Sequence, residues 1–472
     1  MGLKAFCVHG HFYQPPREDP LSGDIPSEPG AAPYHDWNER IFAECYRPNI
    51  QEENFEHISF NIGPTLFEWI DRAHPAASQK IVEQDRKNVD RFGVGNAMAQ
   101  AYNHSILPLA NRRDKQTQVA WGIADFEHRF GRKPKGMWLP ETAVNNETLQ
   151  VLAENGIEYT ILAPWQAARN SPLQGGPFVV RPGEGQKIVV FFYNQNLSTR
   201  ISFDPGATVN ADDFVVNLLA PQYHSALLEP DEPQLYLIAS DGELYGHHQP
   251  FRDKFLSYLM DGALVHRDLA PTFPELWLNH YPPRHAISVR ENTSWSCHHG
   301  VTRWMGDCSC TPRNAWKAPL RAALDQIAAA VDREYESYVS RWIADPWALR
   351  NAYIHVVLGE QRSEDLIYGM AGRRLDPDDL WRIGLLLESQ RERQRMFTSC
   401  GWFFEDFDRI EPRNNVAYAA KAVWLVRQAC GTNLGPSAQS LLNVVRSPRT
   451  GLNAARVFAH SVTRYQDFLA GG

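Results

Sequence analysis

The chain has 472 residues, more than one hydrophobic core usually supports, and 43% of them are hydrophobic, so we expect a folded protein with two domains. Its net charge of −8 and scattered Lys and Arg residues exclude nucleic acid as an expected partner, because a phosphate backbone is bound mainly by clustered cations. No run of residues has the apolar length of a membrane span, and the N-terminal residues lack the apolar stretch of a secretion signal.

The seven cysteines are odd in number and mostly scattered along the chain. This pattern suits a reducing compartment better than a disulfide framework. We therefore predict a cytoplasmic protein.

Seven short apolar runs, separated by helical stretches, predict the strands of the N-terminal domain. They are LKAFCV (3–8), HISFNI (57–62), VGNAMA (94–99), KGMWL (135–139), IEYTILA (157–163), KIVVFFY (187–193) and QLYLIA (234–239). Strands that alternate with helices form parallel sheets, and seven of them can close into a barrel or a near-barrel. The predicted fold class is α/β, an incomplete seven-stranded (β/α) barrel.

Polar and ionisable residues follow these runs at the same end, where the working residues of such barrels lie. They are His9 and His11 after the first run, His104 after the third, Glu141 after the fourth, Asn194 after the sixth, and Asp241 with Glu243 after the seventh. This recurrence favours an enzyme.

Residues 15–37 are rich in Pro and Gly and predict a long loop, which in a compact protein is often a lid or a binding loop. From residue 311 the pattern becomes helical. Leu320, Leu324, Ile327, Val331 and Tyr335 share one helical face, and residues 378–397 also have helical character. We predict a catalytic barrel over residues 1–310 and a C-terminal helical domain over residues 311–472.

Glu141 in GMWLPET and Asp241 in LIASDGELYGHH are the candidate catalytic acids. Each alone has an ordinary structural interpretation: Glu141 as a first-turn acid of a helix beginning near Val144, and Asp241 as a turn residue before Gly242. Two carboxylic acids at the ends of different barrel strands, one ionised and one protonated, are what glycosidic bond cleavage requires. Aromatic residues beside the motifs, such as Trp138 and Tyr245, suit the faces of sugar rings.

The histidines have two interpretations. His9 and His11 after the first strand, with His104 and Asp241, could ligate a divalent metal in a hydrolase such as a sugar deacetylase. Alternatively, neutral His9, His11 and His104, together with Gln14, hydrogen-bond sugar hydroxyls. We favour the second interpretation and expect no metal and no cofactor.

The segment SWSCHHGVTRWMGDCSC (294–310) collects three cysteines and two histidines. Its C-x-C spacing differs from the C-x2-C pair of many zinc sites, so free thiols are the favoured interpretation and a structural zinc stays open. The same segment could place His298 and His299 at the cleft. Further along, Trp402 in the segment 398–415 either packs in the core or faces the barrel mouth.

Four motifs in this order resemble those of glycoside hydrolase family 57, whose members are mostly amylase-like hydrolases, 4-α-glucanotransferases and glycogen branching enzymes. They are HGHFYQPP, GNAMAQAYNHSILPL, GMWLPE and ASDGELYG, and together they lie between residues 5 and 250. The chain departs from the family pattern at Phe12 and Tyr13, which separate His11 from Gln14, and at Asn96 and Gln100, where many members carry a glutamate.

The resemblance implies that Glu141 is the nucleophile and Asp241 the general acid/base of a retaining double displacement without metal. It also implies that His9, His11 and Glu243 help to bind the sugar at the cleavage point. The sequence therefore predicts a glycoside hydrolase or transglycosylase whose partner is an α-glucan or related oligosaccharide or polysaccharide. The alternatives are the metal-dependent hydrolase and a carbohydrate-binding homologue that has lost turnover.

Overall fold

Seven parallel strands form where the seven apolar runs lie. The computed structural model describes residues 2–168, 176–224 and 232–470. Its strands are β1 (Lys4–Phe12), β2 (Ser59–Ile62), β3 (Ala99–Gln100), β4 (Met137–Trp138), β5 (Tyr159–Leu162), β6 (Pro177–Val180), β7 (Ile188–Phe192), β8 (Gln234–Asp241), β9 (Ala270–Pro271) and β10 (His285–Ala286). The seven predicted strands are β1 to β5, β7 and β8.

These seven strands follow one another around a barrel. β1 pairs in parallel with β2 and β8, β3 with β4, and β5 with β7. Single parallel bridges join the pairs, from Phe60 to Ala97 and from Gly136 to Tyr159. β7 meets β8 through a hydrogen bond from the Asn194 amide to the Leu237 carbonyl (2.7 Å) rather than through a full ladder. The barrel is thus incomplete, as the sequence predicts.

The short strands β6, β9 and β10 were not predicted. β6 pairs antiparallel with β7, β10 pairs with β6, and β9 pairs with β1 near its start. Each is only two to four residues long and lies outside the seven-strand order. Segments this short contain too few alternating apolar and polar residues to be predicted as strands from the sequence.

The chain divides into two compact units. The barrel unit comprises Met1–Gln14, Ser27–Ala101 and Phe126–Trp295, and the helical unit comprises Pro15–Pro26, Tyr102–Asp125 and Ser296–Gly472. The sequence placed the boundary at residues 310/311, whereas the structure divides the chain at residues 295/296 and assigns two earlier segments to the helical unit. Ion pairs within the helical unit hold these two segments.

The α-helices of the barrel unit are α1 (Trp37–Ile41), α2 (Arg47–Gln51), α3 (Asn54–His57), α4 (Pro64–Ala73), α5 (Pro75–Phe92), α7 (Asn146–Glu154), α8 (Gln195–Phe203), α9 (Ala211–Phe214), α10 (Arg252–Tyr258) and α11 (Pro274–His280). α6 (Arg112–Phe130) begins in the helical unit. The others of that unit are α12 (Lys317–Val339), α13 (Pro346–Ala352), α14 (Ile354–Val357), α15 (Ser363–Ala371), α16 (Pro377–Arg395), α17 (Cys400–Phe403), α18 (Ile410–Cys430), α19 (Gly435–Leu442) and α20 (Ala454–Ala470).

The predicted helical face of α12 is buried. All five of its apolar residues, from Leu320 to Tyr335, lie in the core of the helical unit. The core of the barrel unit contains inward residues of β1, β5, β7 and β8, and Trp138 of β4 packs among them. In the described part of the chain, no helix combines the length and the apolar composition needed to cross a membrane.

Candidate active site

The parallel register of β1 with its neighbours places three polar residues side by side at the C-terminal end of the barrel strands. Asn61 of β2, His11 of β1 and Asp241 of β8 are partners in this register. Because side chains alternate along a strand, His9 lies on the same face as His11, one layer below, and pairs with Ser59. The sheet therefore brings the first and last predicted motifs together.

Asn61 holds both histidines in place. Its Oδ1 lies 3.2 Å from His9 Nε2, and its Nδ2 lies 3.0 Å from His11 Nδ1 and 2.8 Å from Gln100 Oε1. The Ser59 hydroxyl lies 2.9 Å from His9 Nδ1. Burial, aided at His9 by the neighbouring His11, lowers the pKa of both imidazoles to about 3, so both rings are neutral near pH 7.

Trp138 provides the platform on which the histidines stack. Its ring is nearly parallel to those of His9 and His11, with centroids 4.7 and 5.0 Å away, and Trp295 meets it edge-on at 5.1 Å. Trp138 is fully buried. It therefore fixes the orientation of its neighbours by packing, rather than by offering an exposed face.

Glu141 lies in a strained turn directly after β4. The short 3₁₀ turn Pro140–Thr142 places Glu141 at φ 58° and Thr142 at φ 48°, in the left-handed region that residues with side chains rarely adopt. Gln166 stabilises this turn, because its Nε2 donates to the Thr142 carbonyl (2.8 Å) and its Oε1 accepts from the Thr142 hydroxyl (2.9 Å). Such strain is concentrated at functional sites, where surrounding contacts maintain it.

Trp295 holds Glu141 at two points. Its indole Nε1 donates to Glu141 Oε2 (3.0 Å), and its backbone amide donates to the Glu141 carbonyl (3.0 Å). The next helix, α7, begins only at Asn146 and is capped by the Asn145 side chain. The first-turn role considered for Glu141 is thus performed by other residues, and its carboxylate is partly exposed.

Asp241 is the last residue of β8 and is exposed, whereas the six residues before it are buried. Burial, with the nearby Glu243 and Glu141 carboxylates, raises the pKa of Asp241 to about 8. Of these causes, burial is the largest and the Glu141 carboxylate the smallest. Asp241 is consequently the acid of this pair that retains its proton at neutral pH.

Glu243 is a buried acid behind Asp241. Burial raises its pKa to about 7, although the Tyr46 hydroxyl (2.7 Å) and the Tyr13 amide (3.0 Å) donate to its Oε1 and oppose the rise. The Gln14 side chain also hydrogen-bonds it. Glu243 and Gln14 are thus joined by a hydrogen bond, and the sugar contacts predicted for them stay predictions.

Gly242 allows the Asp241 turn to approach β1. A Cβ atom at this position would lie 2.3 Å from Cδ1 of Phe12, which is itself fully buried between Tyr46 and Phe55. Because Phe12 is packed on both sides, close packing requires glycine at position 242.

An aromatic wall with partly exposed rings borders the two acids. Tyr193, which follows β7, is influenced electrostatically by Asp241 and meets Trp165 and Trp295 edge-on at 6.0 and 6.5 Å. Trp165 and Trp295 are half-buried. Such rings provide apolar faces suited to the C–H faces of pyranose rings.

Three of the predicted contact residues, Trp138, Tyr245 and Trp402, are buried aromatic rings that offer no face to a sugar. Tyr245 is fully buried and its hydroxyl accepts from Ser240 (3.2 Å), so the sugar contact predicted for it is replaced by packing. His104, His298 and His299 belong to the helical unit, and their contact with a sugar stays a prediction. There His104 Nδ1 lies 2.6 Å from the Ser399 hydroxyl.

Trp402 is only 1% exposed, and its Nε1 donates to the Lys317 carbonyl (3.4 Å). The packing role considered for it is therefore the one seen, because an indole without accessible surface offers no face to a sugar. His298 and His299 are exposed, and His299 faces a group of cysteines.

Three residues of the site were missed by sequence reasoning. Asn61 is the last but one residue of the second apolar run and could have been found by reading the last inward position of that strand. Tyr46 and Trp295 come from irregular or helical segments outside the strands, so no strand pattern pointed to them.

In comparison with known proteins, two family models match different segments of the chain. The family model for Glycosyl hydrolase family 57 matches residues 8–289, and a Domain of unknown function (DUF3536) matches residues 313–467. Alpha-amylase 1 of Dictyoglomus thermophilum is 26% identical over 280 residues, which are 54% of this chain and 38% of the amylase. The 4-alpha-glucanotransferase of Thermococcus litoralis is 24% identical over 215 residues, 44% of this chain and 30% of that enzyme. The chain thus spans less than two fifths of either relative.

Among solved structures, the exo-type maltose-forming amylase of Pyrococcus sp. ST04 has a TM-score of 0.75 at 14% sequence identity, and the match covers 97% of this chain and 88% of the amylase. At that identity the likeness concerns the fold. The family model includes both candidate acids and covers more than half of the residues, and so the chain belongs to glycosyl hydrolase family 57.

Proposed function

We propose that the protein is a retaining glycoside hydrolase or transglycosylase acting on an α-glucan or a related α-glycoside. The observation that carries the proposal is the pairing of two carboxylic acids from the ends of β4 and β8, of which Asp241 has a pKa raised to about 8. The curated relatives named as an alpha-amylase and a 4-alpha-glucanotransferase support the substrate class.

In the first step, the Glu141 carboxylate attacks the anomeric carbon and forms a glycosyl-enzyme ester. Asp241 gives its proton to the departing glycosidic oxygen as the bond to the anomeric carbon breaks. The Trp295 indole, bound to Glu141 Oε2, restricts the rotation of the side chain and so orients the carboxylate for attack.

In the second step, Asp241 is ionised and removes a proton from water or from an acceptor hydroxyl, which attacks the ester and releases Glu141. Water gives hydrolysis and a sugar hydroxyl gives transfer, and the same two acids serve both. Both ring nitrogens of His9 are hydrogen-bonded within the protein, to Ser59 and to Asn61, so His9 would hold Asn61 in place. The contact with sugar hydroxyls is assigned to His11 beside it.

The cellular location is a further part of the proposal. All seven cysteines are free thiols, which suits a reducing compartment such as the cytoplasm.

The decisive experiment is turnover of starch, glycogen, maltooligosaccharides and aryl α-glycosides, followed by NMR so that the anomeric configuration of the first product is seen. We expect retention of configuration. Glu141→Gln and Asp241→Asn should each lower kcat by several orders of magnitude. Glu275→Gln is a matched control, because Glu275 is a buried acid of the same unit that pairs instead with Arg132 and Lys135.

Azide distinguishes the two roles. With an aryl α-glycoside, azide should rescue Asp241→Ala and give a glycosyl azide of retained configuration, because azide attacks the glycosyl-enzyme. It should rescue Glu141→Ala with inverted configuration, because azide then replaces the nucleophile. Wild-type activity in either variant, or an inverted first product from the unmodified protein, would overturn the proposal.

A further inference from the structure

A second group of reactive side chains lies in the helical unit, in the irregular segment that precedes α12. Cys297, His299, Cys308 and Cys310 place their three sulfurs and one imidazole nitrogen within 4.8 Å of one another. The proposed active site uses none of them. We propose that these four residues bind a structural Zn²⁺ ion.

The distances between the four atoms match a tetrahedral site. The Sγ atom of Cys297 lies 3.4 Å from that of Cys308 and 4.0 Å from that of Cys310. His299 Nδ1 lies 3.3 and 3.5 Å from the sulfurs of Cys308 and Cys310. Zn–S bonds of about 2.3 Å and Zn–N bonds of about 2.0 Å at tetrahedral angles require separations of about 3.8 and 3.5 Å. A disulfide would instead bring two sulfurs to about 2.05 Å.

The backbone presents the ligands in two similar turns. Cys297 and His299 share a turn closed by a hydrogen bond from Gly300 to the Cys297 carbonyl (3.1 Å). Cys308 and Cys310 share a turn closed by one from Thr311 to the Cys308 carbonyl (3.0 Å). Each turn therefore contributes the first and third residues of a C-x-H or C-x-C pair. This explains how a spacing unlike the common C-x2-C can still converge on one point.

Groups around the four ligands suit a bound metal. His299 turns its Nδ1 to the sulfurs, while its Nε2 lies 3.5 Å from the Ser309 hydroxyl, an outer partner of the kind that orients metal-binding histidines. The backbone amides of His298 and Cys310 donate to the sulfurs of Cys310 and Cys308.

Lys317 supplies a matching charge. Three thiolates and one imidazole around Zn²⁺ carry a net charge of −1. The Lys317 side chain is buried, its Nζ has no hydrogen-bond partner in the described part of the chain, and it lies 5.8 Å from the centre of the Trp316 ring. The charged groups that act on it are Arg303, Cys308, Cys297 and Glu405. A buried cation without a partner is costly, and an anionic zinc centre would offset that cost.

Four protein ligands leave no open position, so the site would be structural rather than catalytic. Its function would be to fix the 21 residues from Ser296 to Trp316, in which the only regular element of the described chain is the short turn Thr302–Trp304. Three sulfurs and one nitrogen in a tetrahedral arrangement favour zinc over magnesium or calcium, which prefer oxygen ligands.

The test is the metal content of the full chain, purified without chelator, added metal or a histidine tag and measured by plasma mass spectrometry. We expect about one zinc per chain. Cys308→Ser and His299→Ala should lose most of it, whereas His298→Ala and Cys430→Ser are matched controls that should keep it. His299→Cys retains four ligands and should also keep zinc, which separates loss of a ligand from loss of folding.

Cobalt gives an independent readout. Replacement of zinc by Co²⁺ should produce the visible bands of a tetrahedral thiolate complex, and Cys308→Ser should weaken them. The proposal would be overturned by a chain that carries no zinc and binds neither zinc nor cobalt after reduction. It would equally be overturned by full zinc content in a combined Cys308→Ser and His299→Ala variant, or by a Cys297–Cys308 disulfide in thiol-blocked protein.

Discussion

Asp241 illustrates how neighbours determine the chemistry of a single side chain. An aspartate in water is ionised at neutral pH, but here burial and two nearby carboxylates raise its pKa to about 8. Its neighbour Glu243 has a pKa raised to about 7. Asp241 thus retains its proton chiefly because burial disfavours the charged carboxylate, and the neighbouring Glu243 and Glu141 carboxylates add to this effect.

This shift predicts the alkaline limb of the pH profile. The reaction needs Asp241 protonated, so kcat/KM should fall as pH rises through about 7 to 8, where the interacting Asp241 and Glu243 lose their protons. The measurement is kcat/KM for an aryl α-glycoside across this range. Asp241→Asn, assayed with a leaving group that needs no proton, should lack the limb. If the alkaline limb persisted in that variant, a group other than Asp241 would be responsible for it.

At the scale of elements, the site depends on where strands end and on the turns that connect them to the next helix. The register of β1 with β8 places His11 beside Asp241, and the turn after β4 places Glu141 in a left-handed conformation. Two contacts from Trp295 maintain that turn and orient the carboxylate. The segment that leads out of the barrel unit therefore contributes directly to the position of the proposed nucleophile.

We expect Trp295→Phe to lower kcat about 10- to 100-fold with a smaller change in KM, because the lost indole N–H no longer orients Glu141. The aromatic contact with Trp138 and the backbone hydrogen bond to Glu141 would remain. Trp277→Phe is the matched control, since the Trp277 Nε1 has no hydrogen-bond partner in the described residues. Steady-state kinetics of both variants would measure this difference. Equal losses of kcat in the two variants would show that only the packing of the indole ring matters.

At the scale of the whole molecule, each unit is assembled from segments that are distant in sequence. In the helical unit, Asp19 pairs with Arg464 (2.6 Å), which attaches residues 15–26. Asp114 pairs with Arg350 (3.1 Å) and Arg393 (2.6 Å), which attaches residues 102–125. All three members of the second group are nearly fully buried.

Removal of the central carboxylate should be costly. Asp114→Ala would leave two buried guanidinium groups short of a partner, and we expect a loss of about 3–5 kcal/mol of stability. Asp378→Ala breaks the exposed pair with Arg382 and should cost no more than about 1 kcal/mol. The midpoint of urea unfolding, followed by circular dichroism, measures both. Similar midpoints for the two variants would contradict a central role for Asp114.

The pairing of Asp114 with Arg350 also explains why the predicted boundary at residues 310/311 differs from the observed division. Near residue 311 the sequence pattern changes from strands alternating with helices to helices alone, and local patterns reveal only that change. An ion pair between residues more than two hundred positions apart leaves no signal in the local sequence pattern. Segments 15–26 and 102–125 could therefore be assigned to the helical unit only from the three-dimensional structure.

The amino-acid sequence by itself determined the seven barrel strands, the helical face of α12 and the two candidate acids. Each of these follows from local periodicity or from a residue placed directly after an apolar run. The regular geometry of a helix or strand then determines where that residue lies. Tertiary structure alone decided the contacts of Asn61 and Trp295, the burial of Tyr245 and Trp402, and the convergence of the cysteines with His299. These depend on which distant segments meet, and that is set by packing of the complete chain rather than by any local pattern.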